Sequence, residues 1–149
     1  MKLNRLLLFV SLMIVIFSCA KKNEIKGSIP PELRNNWVIR EIDNLSGIQY
    51  DPLNVEYPVL RLGGPKVSSG TTTVGCNTIA FDVESGAGKQ VSFTKIVKTE
   101  MACADYAQSE TTIINALGRV RAYQVDGGTL SLLDANDKVI MKCSVIGQL

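Results

Sequence analysis

Short segments in which apolar and polar residues alternate follow one another along most of this 149-residue chain. In the stretch TIAFDV (78–83), Ile79, Phe81 and Val83 occupy every second position. Successive side chains of a β-strand point to opposite faces, so this alternation predicts a strand with one buried face. Glycine, asparagine and aspartate separate the segments, and the helical crossovers that parallel strands need are missing. The pattern therefore favours antiparallel pairing.

Seven or eight short strands are expected in total. They fall in WVIREI (37–42), YPVLRL (57–62), TTTVGCNTIAFDV (71–83), KQVSFTKIV (89–97), VRAYQVD (120–126), TLSLLD (129–134) and KVIMKCSVI (138–146). Pro58 confines its strand to a sheet edge or marks the strand's start, because proline has no N–H to donate to a neighbour. The last three strands read as a meander. The sequence predicts a mainly β or α+β domain.

A single helix is predicted at YAQSETTIINAL (106–117). Asp105 is expected to cap its first turn, with Gln108 three residues later completing a capping box. Gly118 is expected to end the helix as its C′ residue.

Glu110 lies on the same predicted helix side as Leu117. We expect a partly buried acid that is paired with Arg119 or Arg121, or hydrogen-bonded to loop backbone. A catalytic role for Glu110 would need a second acid or a nucleophile, which the sequence does not place.

The N-terminus carries Lys2 and Arg5, continues with a stretch (6–17) that is apolar except for Ser11, and reaches Ser18-Cys19. This arrangement resembles the lipobox of bacterial lipoproteins, in which the signal peptide is cut before a cysteine that is then lipidated. We therefore expect a signal peptide at 1–18, lipidation of Cys19, a flexible tether at 19–35 and a domain at 36–149. An ordinary secretory signal or an anchor helix are the alternatives.

The predicted location is the bacterial cell envelope, with the lipid in the outer membrane and the domain facing the periplasm. The preference for the outer membrane rests on the absence of aspartate directly after Cys19. Removal of Lys2 and Arg5 with the signal lowers the Lys and Arg count from 16 to 14, equal to the 14 Asp and Glu. A neutral mature chain argues against nucleic acid as a partner.

The chain contains no histidine, which removes the usual general base and most zinc sites. Its cysteines are isolated, without a CxxC pair, and no glycine-rich phosphate loop is present. We therefore predict no metal and no cofactor. Because exported thiols meet an oxidising environment, we expect a disulfide between Cys76 and Cys103; two separately buried thiols are the alternative. Cys143 is expected to be a small buried hydrophobic residue.

Several stretches together resemble a known family: Trp37 at the head of the first strand, GCN (75–77), TEMAC (99–103), Glu110 with Leu117 in the helix, and AYQVDGGTLSLLDANDKVI (122–140). Over roughly residues 36–143 the chain resembles the META domain, as in HslJ-like lipoproteins of the bacterial envelope. The resemblance implies a small antiparallel sheet, curved towards a barrel around one helix. It also implies a link to envelope stress or motility without an established enzymatic activity.

One position departs from the family pattern, which tends to place a glycine and then an aromatic residue a few positions after GCN. This chain has Phe81 and Val83 there. The resemblance transfers no catalytic residue. We therefore expect a membrane-anchored, non-catalytic envelope lipoprotein whose partner is an envelope protein or a small ligand, and whose binding residues are unknown. A ligand-binding or inhibitory barrel-like module is the alternative, and an enzyme is a third reading.

Overall fold

The computed structural model describes residues 28–43, 45–46, 57–63, 68–102 and 106–146. These residues form one antiparallel sheet, one α-helix and a short 3₁₀ turn at Pro31–Leu33. The strands are β1 (Asn36–Ile42), β2 (Leu45–Ser46), β3 (Val59–Leu62), β4 (Ser69–Val74), β5 (Asn77–Ser85), β6 (Val91–Lys98), β7 (Ala122–Asp126), β8 (Thr129–Leu133) and β9 (Val139–Val145). The helix α1 spans Ala107–Arg119.

Eight of the strands follow one path in the order β6-β5-β4-β3-β1-β9-β8-β7, and the two-residue β2 pairs with β1. The two outermost strands, β6 and β7, meet at one end. There Gln90 bridges Ala122, and the Val91 N–H donates to the carbonyl of Arg121 at 3.1 Å. The sheet therefore curls into a half-barrel, and α1 packs against β6 and β1. The predicted curved antiparallel sheet with one helix is confirmed.

The core lies between the concave face of the sheet and α1. Ile79, Phe81 and Val83 are buried, as their alternation predicts, and Phe81 packs on Phe93 with ring centroids 4.9 Å apart. From the helix, residues at three- and four-residue spacing complete the core: Ile113, Ala116 and Leu117.

The stretch 71–83 is a hairpin instead of one strand. β4 ends at Val74, β5 begins at Asn77, and these two residues pair across a turn made by Gly75 and Cys76. Gly75 has φ +56°, and a Cβ at this position would lie 2.3 Å from the ring of Tyr106. Both the left-handed backbone and the aromatic contact require glycine here.

The ends of α1 differ from the prediction. Tyr106 occupies the N-cap position without a side-chain hydrogen bond to the helix, and Asp105 lies outside the described residues. The helix runs through Gly118, so the prediction that this glycine is C′ was wrong. Val120 is the C-cap instead: its backbone is extended, and its N–H donates to the Leu117 carbonyl. Val120 is fully buried, and β7 begins two residues later at Ala122.

The end of the predicted tether belongs to the folded domain. Ile29 and Leu33 are fully buried, and the Leu33 carbonyl accepts a hydrogen bond from Trp37 Nε1 at 3.0 Å. Ser85 Oγ donates to the Ser28 carbonyl at 2.9 Å. The polar composition around Pro30-Pro31 led to the prediction of a tether. The proline-initiated turn nevertheless directs the side chains of Ile29 and Leu33 into the core. The domain start predicted at residue 36 was therefore too late by at least eight residues.

Cys143 is buried in β9 and carries a free thiol, as the sequence predicts. Burial raises the pKa of this thiol far above its ordinary value. A neutral thiol that is shielded from solvent is a poor nucleophile. Cys143 therefore acts as an apolar core residue.

Shortening Leu33 tests whether the 3₁₀ turn belongs to the domain. We expect Leu33→Ala to lower the free energy of unfolding by about 2–5 kcal/mol, because the substitution leaves a cavity in a packed core. Ile146→Ala is the matched control, since Ile146 is 53 % exposed and its truncation should cost less than about 0.5 kcal/mol. Equal denaturation midpoints for Leu33→Ala and the wild type would show that residues 28–35 do not belong to the core.

Candidate functional site

A hydrogen-bond cluster around two buried side chains, Asn77 and Glu110, brings together stretches that carry the family resemblance. We call it the Asn77 cluster, and it consists of Asn77, Lys98, Thr99, Met101 and Glu110. Asn77 opens β5, Lys98 ends β6, and Glu110 lies in the first turn of α1. The cluster thus joins the sheet to the helix.

Asn77 uses both ends of its side-chain amide. Its Nδ2 donates to Glu110 Oε1 at 2.7 Å and to the Met101 carbonyl at 3.2 Å. Its Oδ1 accepts from Thr99 Oγ1 and from the Met101 N–H, each at 2.9 Å. Two donated and two accepted hydrogen bonds exhaust the capacity of an amide side chain. Asn77 is only 2 % exposed, so these bonds replace its hydration.

The Glu110 carboxylate is buried and has a partner on each oxygen. Oε2 accepts from Lys98 Nζ at 2.7 Å, and Oε1 accepts from Asn77. Burial raises the pKa of Glu110, but the hydrogen bonds from Lys98 and Asn77 outweigh this effect and the net pKa lies below its usual value. The side chain therefore remains ionised at neutral pH.

The prediction that Glu110 pairs with Arg119 or Arg121 was wrong. Arg119 pairs with Asp43 at 2.6 Å, and Arg121 donates to the backbone carbonyls of Gly118 and Val120. Arg119 is the last residue of α1, and Arg121 follows the helix. Glu110 lies in the first turn, so neither can reach it.

Asn77 lies in the GCN motif and Thr99 in TEMAC, but the sequence assigns a role to neither residue. A signal for Asn77 exists, because it lies two residues before Ile79 and therefore on the buried face of the same strand. A polar side chain on the buried face of a strand needs hydrogen-bond partners within the protein. Thr99 carries no comparable signal, since it follows the end of β6 and is exposed.

The predicted cysteine chemistry lies largely outside the described residues. Cys76 is exposed in the β4–β5 turn, whereas Cys103 and Cys19 fall in ranges that the structure does not describe. The disulfide between Cys76 and Cys103 and the lipidation of Cys19 both stay predictions.

Two further searches cover the described part of the chain alone. Within it, no group of three or more histidine, cysteine, aspartate or glutamate residues could hold a metal ion. Over the same ranges, no helix is long and apolar enough to cross a membrane.

A second polar cluster fastens the N-terminal segment to the sheet. Glu32 Oε1 accepts from Lys89 Nζ at 2.7 Å and from the hydroxyl of Tyr123 at 2.9 Å. The Lys89 hydrogen bond, with help from backbone and Tyr123 donors, lowers the pKa of Glu32 to about 2. Burial, together with the neighbouring Glu32 carboxylate, raises the pKa of Tyr123. The cluster complements the apolar contacts of Ile29 and Leu33.

An open concavity of about 380 Å³ lies beside the turn between β5 and β6. Its lining residues are Glu84, Ser85, Gly86, Gln90, Val91, Ser92 and Arg121, and Glu84 and Arg121 among them carry charges of opposite sign.

Fold and cluster together define a small half-barrel domain with one helix held over the sheet by a buried carboxylate. Residues 31–144 match the META domain family. The chain therefore belongs to the META domain family. Comparison with curated proteins found no match, and neither did comparison with solved structures.

Truncating Asn77 tests whether the Asn77 cluster holds the fold together. Asn77→Ala should lower the free energy of unfolding by about 3 kcal/mol or more, because it leaves the buried Glu110 oxygen and the Met101 backbone groups without partners. Asn115→Ala, at an exposed helix position, is the control and should change stability by about 0.5 kcal/mol or less. A small effect of Asn77→Ala in chemical denaturation would contradict a structural role.

The pH dependence of stability tests the Glu32 contact. Since the folded pKa of about 2 lies below the ordinary 4.5, the contribution of Glu32 is complete above the ordinary pKa. It is lost as the pH falls from 4.5 towards 2. We expect Glu32→Gln to be less stable than the wild type at neutral pH, with the difference shrinking over that window. Glu100→Gln is the exposed control. A difference that is constant down to pH 2 would contradict the ion pair.

Proposed function

We propose that this protein is a membrane-anchored, non-catalytic lipoprotein of the bacterial envelope that supports tolerance of envelope stress through binding. The observation that carries the proposal is the saturation of the Asn77 cluster. Both oxygens of Glu110 and both ends of the Asn77 amide are bound within the fold. The residues that give the chain its family character therefore build a rigid scaffold.

An enzyme that turns over substrate would need reactive groups that reach a substrate. Glu110, the acid that the sequence singles out, is 1 % exposed and held by Lys98 and Asn77. General acid–base catalysis needs such a group within hydrogen-bond reach of the substrate. This burial supports a binding module over a hydrolase.

The N-terminal sequence supports anchoring through lipidated Cys19. Because the folded domain begins no later than Ser28, at most eight residues (20–27) separate it from the proposed lipid on Cys19. When fully extended, this connecting segment spans at most about 30 Å. The domain would then stay close to the membrane surface. If the lipid lies in the outer membrane, as proposed, the domain lies in the periplasm. That environment is oxidising, which supports the predicted Cys76–Cys103 bond.

A second candidate is a module that binds a small ligand or inhibits a partner protein. The concavity beside the β5–β6 turn favours it, because Glu84 and Arg121 offer both signs of charge in its lining. The partner in this reading is a small polar molecule.

The test of the anchored-lipoprotein proposal combines labelling and complementation. A clickable palmitate analogue should label the wild-type protein and the Cys143→Ala control but not Cys19→Ala. In a deletion strain, wild type should restore survival under envelope stress and Cys19→Ala should not. Affinity capture of the lipidated protein should recover a partner that Cys19→Ala does not.

Equal labelling of wild type and Cys19→Ala would refute the anchor. A hydrolase activity that co-purifies with the protein and disappears in Glu110→Gln would overturn the non-catalytic proposal.

A further inference from the structure

We propose that the Asn77 cluster forms an intramolecular amide bond between Lys98 Nζ and Asn77 Cγ, with Glu110 as the acid–base group and release of one ammonia. This modification is a single self-directed event and is independent of any binding function. The described geometry supplies four elements for it: a nucleophile, an electrophile, a proton carrier and donors for the developing oxyanion.

The nucleophile and the electrophile meet at one carboxylate. Lys98 Nζ donates to Glu110 Oε2 at 2.7 Å, and Asn77 Nδ2 donates to Glu110 Oε1 at 2.7 Å. The amine to be deprotonated and the amide nitrogen to be expelled therefore contact the two oxygens of the same group. Both distances lie within the range required for general acid–base catalysis.

The strands bring Lys98 and Asn77 to the same place. Lys98 pairs with Ile79 in the β5–β6 register, and Asn77 lies two residues before Ile79 on the same face of β5. Diagonal neighbours in an antiparallel pair are within reach of a long side chain. Holding two reactants in one folded structure corresponds to effective concentrations of about 10⁵–10⁸ M when the geometry is good.

The carbonyl of Asn77 is already polarised. Its Oδ1 accepts hydrogen bonds from Thr99 Oγ1 and from the Met101 N–H, each at 2.9 Å. Attack at Cγ places negative charge on this oxygen, and fixed donors at such distances stabilise that charge. The two donors make Asn77 more electrophilic than an ordinary side-chain amide.

The proton transfers balance through Glu110. The Lys98 ammonium gives one proton to the Glu110 carboxylate, and the neutral Nζ attacks Cγ of Asn77 to form a tetrahedral intermediate. Glu110 then delivers its proton to Nδ2 and takes one from Nζ. The Cγ–Nδ2 bond breaks, ammonia leaves and takes the remaining proton from Glu110 as ammonium. In sum, one ammonium side chain and one amide give one substituted amide and one ammonium ion, without oxidant or reductant.

Burial favours the amine over water as the nucleophile. Asn77 is 2 % exposed and Glu110 is 1 % exposed, so little water reaches Cγ. The Lys98 side chain is 40 % exposed, which leaves a path to solvent for the released ammonia. The product would link the first residue of β5 to the last residue of β6, at the open end of this hairpin.

Peptide mapping of the full-length protein tests the proposal. After prolonged incubation of the folded protein, reduction, denaturation and trypsin digestion, we expect a branched peptide that joins residues 67–89 to residues 96–119. Trypsin cannot cleave after a modified lysine, so Lys98 remains internal. The mass of the branched peptide should equal the sum of both peptides less one ammonia.

Two variants serve as controls. Lys98→Arg keeps a cation beside Glu110 but lacks the amine, so it should give linear peptides only. Glu110→Gln removes the proton carrier and should also remain linear. Intact full-length wild type should be lighter, relative to Lys98→Arg, by one ammonia beyond the difference between the two side chains.

Full recovery of linear 67–89, 96–98 and 99–119 from the wild type would overturn the proposal. So would aspartate at position 77 together with an unmodified Lys98, because water and not the amine would then have attacked the amide. Neither result depends on how well the variants fold.

Discussion

A carboxylate inside a protein persists only when hydrogen-bond donors replace the water it has lost, and Glu110 places this demand at the interface between α1 and the sheet. The donors are Lys98 and Asn77, which lie at the ends of neighbouring strands. Asn77 in turn binds Met101 and Thr99. One buried charge thereby fixes the hairpin turn, the segment after β6 and the start of the helix relative to one another.

The two ends of the half-barrel are held by different means. At one end backbone hydrogen bonds join β6 to β7 around Gln90 and Ala122. At the other end of β6 the side chains of the Asn77 cluster connect the sheet to α1. The 3₁₀ turn then adds Leu33 to the core and Glu32 to Lys89 and Tyr123. In this arrangement the family motifs around Asn77 and Glu110 hold the helix against the sheet.

Strands were predictable because period-two alternation reports burial directly, as at Ile79. The β4–β5 hairpin could not be predicted from the sequence. Only the contact with Tyr106 and the positive φ of Gly75 show why the chain must turn at a glycine there. Burial of Glu110 was visible in the helix pattern, whereas its partners depended on strand register, which one sequence does not specify. Leu33 escaped prediction because two apolar residues in a polar stretch carry no periodicity.

The central claim is that Glu110 and Asn77 stabilise the fold as a coupled pair. A double-mutant cycle with Asn77→Ala and Glu110→Ala measures this coupling most directly, in the Lys98→Arg background where no amide link can form. We expect the double variant to be more stable than the sum of the single losses predicts, with a coupling of about 1–3 kcal/mol. Asn115→Ala combined with Glu110→Ala should be additive. Additivity of Asn77→Ala and Glu110→Ala to within about 0.5 kcal/mol would contradict the claim.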